Sequence, residues 1–182
     1  MEHPAIAFLR QLDPSQNGRF NIETYTDLAK GQKRPEPDPL ARRFPNLNLE
    51  GVHKRLTQLK DLNVQGAGVF VAVNEFNGQR RRENLVHIRG VHADLDGVTQ
   101  EALDGIRTRL KPTLEVKTSG EKNWHFYWLL QQGETLTAEE AEGINRGLVD
   151  LGADRAAVDV ARLLRLPGYF HMKHVDRGVA DA

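Results

Sequence analysis

A strict alternation of residue types over 124–130 is the feature that most constrains the fold of this chain. Large apolar side chains occupy every second position, with a histidine and a tyrosine between them: Trp124, Phe126, Trp128 and Leu130 against His125 and Tyr127. Successive side chains of a strand point to opposite faces, so the pattern predicts a β-strand with an apolar face on the core and His125 on an open face. Residues 113–118 predict its partner strand, and the turn-like residues 119–123 join the two in a hairpin.

The rest of the chain alternates predicted helices and strands. Helices are expected over 5–12, 49–62, 99–110 and 137–151, and strands over 68–73 and 85–96. The four prolines of 31–45 exclude a continuous helix or a central strand, so that segment is predicted to be a loop. These elements predict an α+β fold, with a mixed, largely antiparallel sheet flanked by helices.

Length and composition limit the classes of protein. The 182 residues predict a single domain, 1–182, with an N-terminal portion over about 1–80 and a motif-bearing core over 85–175. The absence of cysteine excludes disulfides and Cys-rich zinc sites. Lys plus Arg and Asp plus Glu both number 25, so any contact with nucleic acid must be local. No targeting signal or membrane span is visible, and the cytoplasm is the expected compartment.

The first chemical motif is Asp94-Leu95-Asp96, at the end of the apolar segment 85–96. The strand period of two places both carboxylates on one face. Adjacent carboxylates repel each other unless a cation neutralises them, and their hard oxygen ligands suit Mg²⁺ or Mn²⁺. A triplet of this kind also occurs by chance, so a metal site and a solvated acidic pair both stay open at this point.

The predicted hairpin carries the second motif. Ser119 and Gly120 lie at its turn, where a hydroxyl and backbone N–H groups could join His125 around a triphosphate. Taken alone, His125 fits a hydrogen-bonded strand histidine better than a phosphate ligand. A zinc site is disfavoured, because no second histidine lies at ligand spacing.

The third motif is Asp159-x-x-Arg162-x-x-Arg165, followed by Leu-Pro-Gly168. In a helix, positions 159 and 162 would share a face, with 165 close by. The segment could therefore be a surface ion pair, or it could supply a third carboxylate together with arginines that bind phosphate.

Together the three segments resemble the archaeo-eukaryotic primase superfamily, and more closely its RepB-like plasmid and phage branch. The motifs that carry the resemblance are Asp94-x-Asp96, Ser119-Gly120 with His125-x-Tyr127-Trp128, and Asp159-x-x-Arg162-x-x-Arg165-Leu-Pro-Gly168 with Lys173. Their order and spacing match the family over about half of the chain.

The resemblance implies an RRM-like catalytic core that transfers nucleotides during replication of a plasmid, phage or other mobile element. It assigns Asp94, Asp96 and Asp159 to a catalytic two-metal site for Mg²⁺ or Mn²⁺, without zinc. It assigns nucleotide binding to five residues: Ser119, His125, Arg162, Arg165 and Lys173. The implied partners are a single-stranded DNA template and nucleoside triphosphates, with a helical primase domain or a helicase elsewhere as further candidates. Because the chain ends within ten residues of Lys173, primer extension is expected to be easier than initiation.

Two other functions remain open from the sequence. One is a non-catalytic module that binds single-stranded nucleic acid through aromatic and basic residues. The other is a metal-dependent replication nuclease that uses the same carboxylates for hydrolysis. The acids at 94, 96 and 159 disfavour the first, and the pairing of Ser119 with His125 disfavours the second.

Overall fold

The structure, a computed structural model, describes residues 2–15, 17–29 and 31–173. Its helices are α1 (Pro4–Leu12), α2 (Leu49–Val64), α3 (Gln100–Leu110) and α4 (Ala138–Leu148). Its strands are β1 (Phe20–Thr26), β2 (Arg42–Leu47), β3 (Ala67–Ala72), β4 (Glu75–Phe76), β5 (Leu85–His87), β6 (Gly90–Leu95), β7 (Leu114–Ser119), β8 (Asn123–Leu129) and β9 (Leu163–Arg165). None of the helices within these ranges has the length and apolar character that a membrane span requires.

Local signals place the helix boundaries where the sequence predicts them. The hydroxyl of Thr99 accepts a hydrogen bond from the amide of Ala102 at the start of α3. Thr137 and Glu140 form a reciprocal capping box at the start of α4. A short 3₁₀ turn follows α4 and ends at Gly152, whose φ of 103° lies in the left-handed region that glycine adopts without strain.

The strands form two larger antiparallel sheets. Sheet 1 has the order β2-β1-β3-β9 and sheet 2 the order β6-β8-β7, and β4 pairs with β5 in a separate ribbon. The predicted α+β class with antiparallel strands flanked by helices is confirmed. The strands divide between sheets because β1 and β9 occupy both edges of β3, which leaves β6 to pair with β8.

The strand predicted over 85–96 is interrupted at Arg89. The Arg89 amide donates to the side chain of Asn74 rather than to a neighbouring strand. Its guanidinium is buried and pairs with Asp13 at 2.7 Å from Nε to Oδ2. This buried ion pair fixes the chain between β5 and β6, so that β6 begins at Gly90.

Both faces of sheet 2 are covered. Trp124, Phe126 and Trp128 lie on the side where Phe126 packs with the buried side chains of α3 and α4. On the other side, Tyr127 is buried in the core beneath sheet 1, and its ring centroid lies 5.4 Å from that of Phe8. The face that carries His125 and Tyr127 is less open than expected: α1 and the core of sheet 1 cover Tyr127, and His125, which lines a cleft, is only 4% exposed.

The segment 159–165 is not a helix. Residues 159–161 form a turn, and β9 follows and pairs with β3. Leu164 and Leu166 alternate into the core, which favours a strand, and Arg165 between them projects to the opposite face.

Candidate active site

A cleft of about 790 Å³ brings together residues from both sheets. Sheet 2 and its loops contribute Asp94, Asp96, Ser119, Asn123, His125 and Asp154 to the lining. Sheet 1 and the segments that follow its strands contribute Asp27, Arg34, Phe70, Arg165, His171 and Lys173. One wall of the cleft is therefore rich in carboxylates and the other in cationic side chains.

Asp94 and Asp96 form the acidic end of the cleft, as their spacing predicts. Asp94 lies on β6 directly opposite His125 of β8, with 3.4 Å between its Oδ1 and the histidine Nε2. Burial raises the pKa of Asp94, but the hydrogen bond and charge of His125 outweigh burial, so the pKa lies below its ordinary value. The pKa of Asp96 is raised, first by burial and then by the negative charge of Asp94.

The third carboxylate of the cleft belongs to Asp154. Its amide donates to the Asp94 carbonyl oxygen at 2.7 Å, which holds the loop that follows Gly152 against β6. Its side chain accepts a hydrogen bond from the amide of Ala156, and its charge contributes to the raised pKa of Asp96.

Asp159, the predicted third ligand, lies elsewhere. Its carboxylate pairs with Arg162 at 2.8 Å, its side chain is 46% exposed, and neither residue lines the cleft. The charge of Arg162 still reaches Asp94 and contributes to its lowered pKa. Across the described ranges, no group of three histidine or acidic side chains is already close enough to hold a metal ion.

Asn123 links the two motifs of sheet 2. Its side-chain amide donates to Ser119 Oγ at 2.9 Å, and its Oδ1 accepts from the amide of Gly97 at 2.8 Å. The loop after Asp96 is thereby tied to the hydroxyl of Ser119. His125 is buried, with Nε2 near Asp94 and Nδ1 3.5 Å from the hydroxyl of Tyr127.

The basic wall is organised around Asp27, immediately after β1. One carboxylate oxygen of Asp27 pairs with Arg165 Nη2 at 2.8 Å, and the other accepts from the amide of Met172 at 2.9 Å. The Asp27 side chain is only 2% exposed. Burial raises its pKa, but the hydrogen bond and charge of Arg165 outweigh burial and lower it overall. Asp27 thus holds Arg165 and the backbone next to Lys173 on the cleft.

Several cleft residues escaped the sequence analysis, among them Asp27, Asn123 and Asp154. Each of these three had a weak local signal. Asp27 comes directly after the alternating segment 20–26, and Asn123 is the last residue of the hairpin turn. Asp154 lies two residues after Gly152, the glycine that terminates a helix. None of these signals indicates that the three side chains meet in one cleft.

Sequence comparisons relate the chain to replication primases. The family model described as the RepB DNA-primase N-terminal domain matches residues 37–179. A replication protein of Clostridium perfringens is 24% identical over 135 residues, which cover 66% of this chain and 33% of that protein. The chain therefore spans about one third of this curated relative.

Solved primase structures share the fold. The crystal structure of primase RepB′ has a TM-score of 0.63 at 22% identity and covers 93% of this chain and 50% of its own. The catalytic domain of RepB′ in complex with initiator DNA has a TM-score of 0.64 at 22% identity, with coverages of 93% and 78%. The AEP domain of the cyanophage S-2L primase-polymerase has a TM-score of 0.67 at 15% identity, with coverages of 93% and 83%.

These likenesses confirm the predicted primase-type fold, and the family match extends over most of the sequence, including all three motifs. The chain therefore belongs to the RepB DNA-primase N-terminal domain family.

Proposed function

We propose that this chain is the catalytic core of a DNA primase or primase-polymerase. Such an enzyme transfers nucleotidyl groups from nucleoside triphosphates to the 3′-hydroxyl of a primer paired with a single-stranded DNA template, and releases pyrophosphate. The observation that supports this function is the division of one cleft into an acidic and a basic wall. Asp94, Asp96 and Asp154 face the side that carries Arg165 and Lys173. A nucleotide needs both walls, because its phosphates require cations and its transfer requires carboxylates that bind metal.

The donor set fits a divalent cation. All three carboxylates supply hard oxygen ligands, and the pKa of Asp96 is raised first by burial and then by the negative charges of Asp94 and Asp154. Mg²⁺ or Mn²⁺ would be held by Asp94, Asp96 and Asp154, with Asp154 in the role that the family resemblance assigns to Asp159. When bound, such ions supply Lewis acidity and neutralise developing negative charge on phosphate oxygens.

The remaining side chains have separate roles. Arg165 and Lys173 bind the triphosphate of the incoming nucleotide, and the hydroxyl of Ser119 adds a hydrogen bond. Both nitrogens of His125 face groups of the protein, Asp94 and Tyr127. These contacts support a role in orienting Asp94, and the phosphate contact that its motif implies requires the 3.5 Å contact with Tyr127 to open.

Incubation with template, labelled nucleotides and Mg²⁺ or Mn²⁺, followed by product sizing, tests the function. We expect labelled product on a primed template and less product on bare single-stranded DNA, because initiation must also hold a second free nucleotide. The Asp94→Asn variant, which should incorporate no nucleotide, gives the background signal of the assay. A chain that binds both substrates without incorporation would be a binding module, and shortening of the template would indicate a nuclease.

Asp27 provides a test of the basic wall. Asp27→Asn keeps the shape and one acceptor oxygen but removes the charge that holds Arg165. We expect the KM for nucleoside triphosphate to rise about tenfold with a smaller change in kcat, because a hydrogen bond to a charged group contributes about 1.5–3 kcal/mol. Steady-state kinetics on a primed template measures the changes in KM and in kcat separately. If kcat and the melting temperature both fall while KM is unchanged, Asp27 has a purely structural role.

A further inference from the structure

The outer face of sheet 1 carries one row of side chains across all four strands. Arg43 of β2 lies opposite Glu23 of β1, Glu23 opposite Phe70 of β3, and Phe70 opposite Arg165 of β9. Directly opposed residues project from the same face of an antiparallel sheet. The inner face of these strands carries the core, so this row lies on the side away from α1 and α2.

Two aromatic rings in this face are stacked with arginines. The guanidinium of Arg34 lies 4.5 Å from the ring centroid of Tyr25, and that of Arg165 lies 5.0 Å from the centroid of Phe70. The two rings are neighbours, with centroids 6.5 Å apart. Aromatic rings and guanidinium planes are the surfaces on which unpaired bases stack.

The far end of the row carries excess positive charge. A pocket of about 170 Å³ there is lined by three arginines, Arg43, Arg80 and Arg81, and by a single carboxylate, Glu23. Arg80 pairs with Glu23 at 3.0 Å and also donates to the carbonyl of Ala161. Arg43 lies 3.7 Å from Glu23 and Arg81 lies 3.8 Å from Glu83, but their side chains are 70% and 64% exposed, so both guanidinium groups are accessible from solvent.

This surface continues into the candidate active site. Arg34, Phe70 and Arg165 line the cleft, and Glu23 and Arg43 line the smaller pocket. A strand that crosses the face would therefore pass from exposed arginines, over the stacked rings, to the carboxylates of the cleft.

We infer that this outer face, from Arg43 and Arg81 through Tyr25 and Phe70 to the cleft, is the binding track for the single-stranded DNA template. The inference rests on the proposed function and adds the location of the template to it. Arg43 and Arg81 contact phosphates, which supplies affinity without sequence preference. The Arg34–Tyr25 pair holds an unpaired base, so the track favours a single strand over a duplex.

The experiment measures binding of a fluorescein-labelled oligo(dT) by anisotropy over a range of salt concentrations. Arg43→Ala/Arg81→Ala should weaken binding at least tenfold and reduce the slope of log K against log salt by about 1.4, since each single-strand phosphate contact contributes about 0.7. Arg34→Lys keeps the charge but loses the stacking plane, so it should weaken binding about fivefold with the slope unchanged.

The matched control removes two exposed arginines from the helices that cover sheet 2. Arg109→Ala/Arg146→Ala should change affinity less than twofold and leave the salt slope unaltered. At saturating template, Arg43→Ala/Arg81→Ala should keep the wild-type KM for nucleoside triphosphate. Suppose that the unmodified chain binds oligo(dT) and extends a primer while Arg43→Ala/Arg81→Ala and Arg109→Ala/Arg146→Ala have the same affinity for oligo(dT). That result would show that the template does not follow this track, and the proposed function would stand. A chain that neither binds oligo(dT) nor incorporates nucleotides would overturn both.

Discussion

Asp154→Asn should lower nucleotide incorporation at least about 100-fold, whereas Asp159→Asn should lower it less than about threefold. Asp154 lies in the cleft with Asp94 and Asp96, while Asp159 is paired with Arg162 outside it. A carboxylate that holds a catalytic cation supports several kcal/mol of charge stabilisation, and about 3 kcal/mol corresponds to about 100-fold in rate.

Primer extension with equal amounts of the two folded variants measures the difference. The pair is matched, since each change removes one negative charge from the same segment of the chain and keeps the size of the side chain. Circular dichroism and thermal unfolding should show both variants folded. If Asp159→Asn is the inactive variant, the spacing of the motif identifies the third ligand better than the geometry of the cleft does.

Gly90→Ala should destabilise the protein by about 3 kcal/mol, at the upper end of the cost of overpacking. A Cβ at this position would lie 2.3 Å from the carbonyl oxygen of Trp128 and 2.9 Å from the Cα of Leu129. Both are backbone atoms of β8, the partner of β6, so no side-chain rotation relieves the clash. For a chain of this size, the midpoint of thermal unfolding should fall by roughly 6 to 12 °C.

Gly105→Ala is the matched control. Gly105 lies in α3, and a Cβ there meets nothing within 4 Å. Alanine is the better helix former, so this variant should gain up to about 1 kcal/mol. Differential scanning calorimetry of the two variants checks the prediction. A Gly90→Ala protein with a wild-type melting temperature would mean that β6 and β8 can separate without cost.

The elements of the fold could be predicted where the signal is local. The capping residues Thr99 and Thr137 start their helices, and the alternation over 124–130 forms β8 as expected. The number of sheets could not be predicted, because it depends on which strands reach the edges of β3. That choice is set by the pairing of β3 with β9, whose residues lie at the other end of the described chain.

The same distinction applies to the candidate site. Asp94 and Asp96 both line the cleft, and the strand period, which the sequence displays directly, predicts that they lie on one side. Asp27 and Arg165 meet across 138 positions of sequence, and no local pattern records that contact. Asp154 and Asp159 are five residues apart, and their spacing does not indicate that Asp154 lines the cleft while Asp159 pairs with Arg162.

The position of β9 at the edge of sheet 1 also affects how the protein is synthesised. β3 ends at Ala72, but its partner on one side, Leu163–Arg165, emerges from the ribosome only after β4–β8 and two further helices. Until then the backbone amides and carbonyls of Phe70–Ala72 have no strand partner on that side, and an open strand edge recruits other chains. The nascent protein is therefore most prone to aggregation while its second half is being translated, when chaperone binding would protect it most.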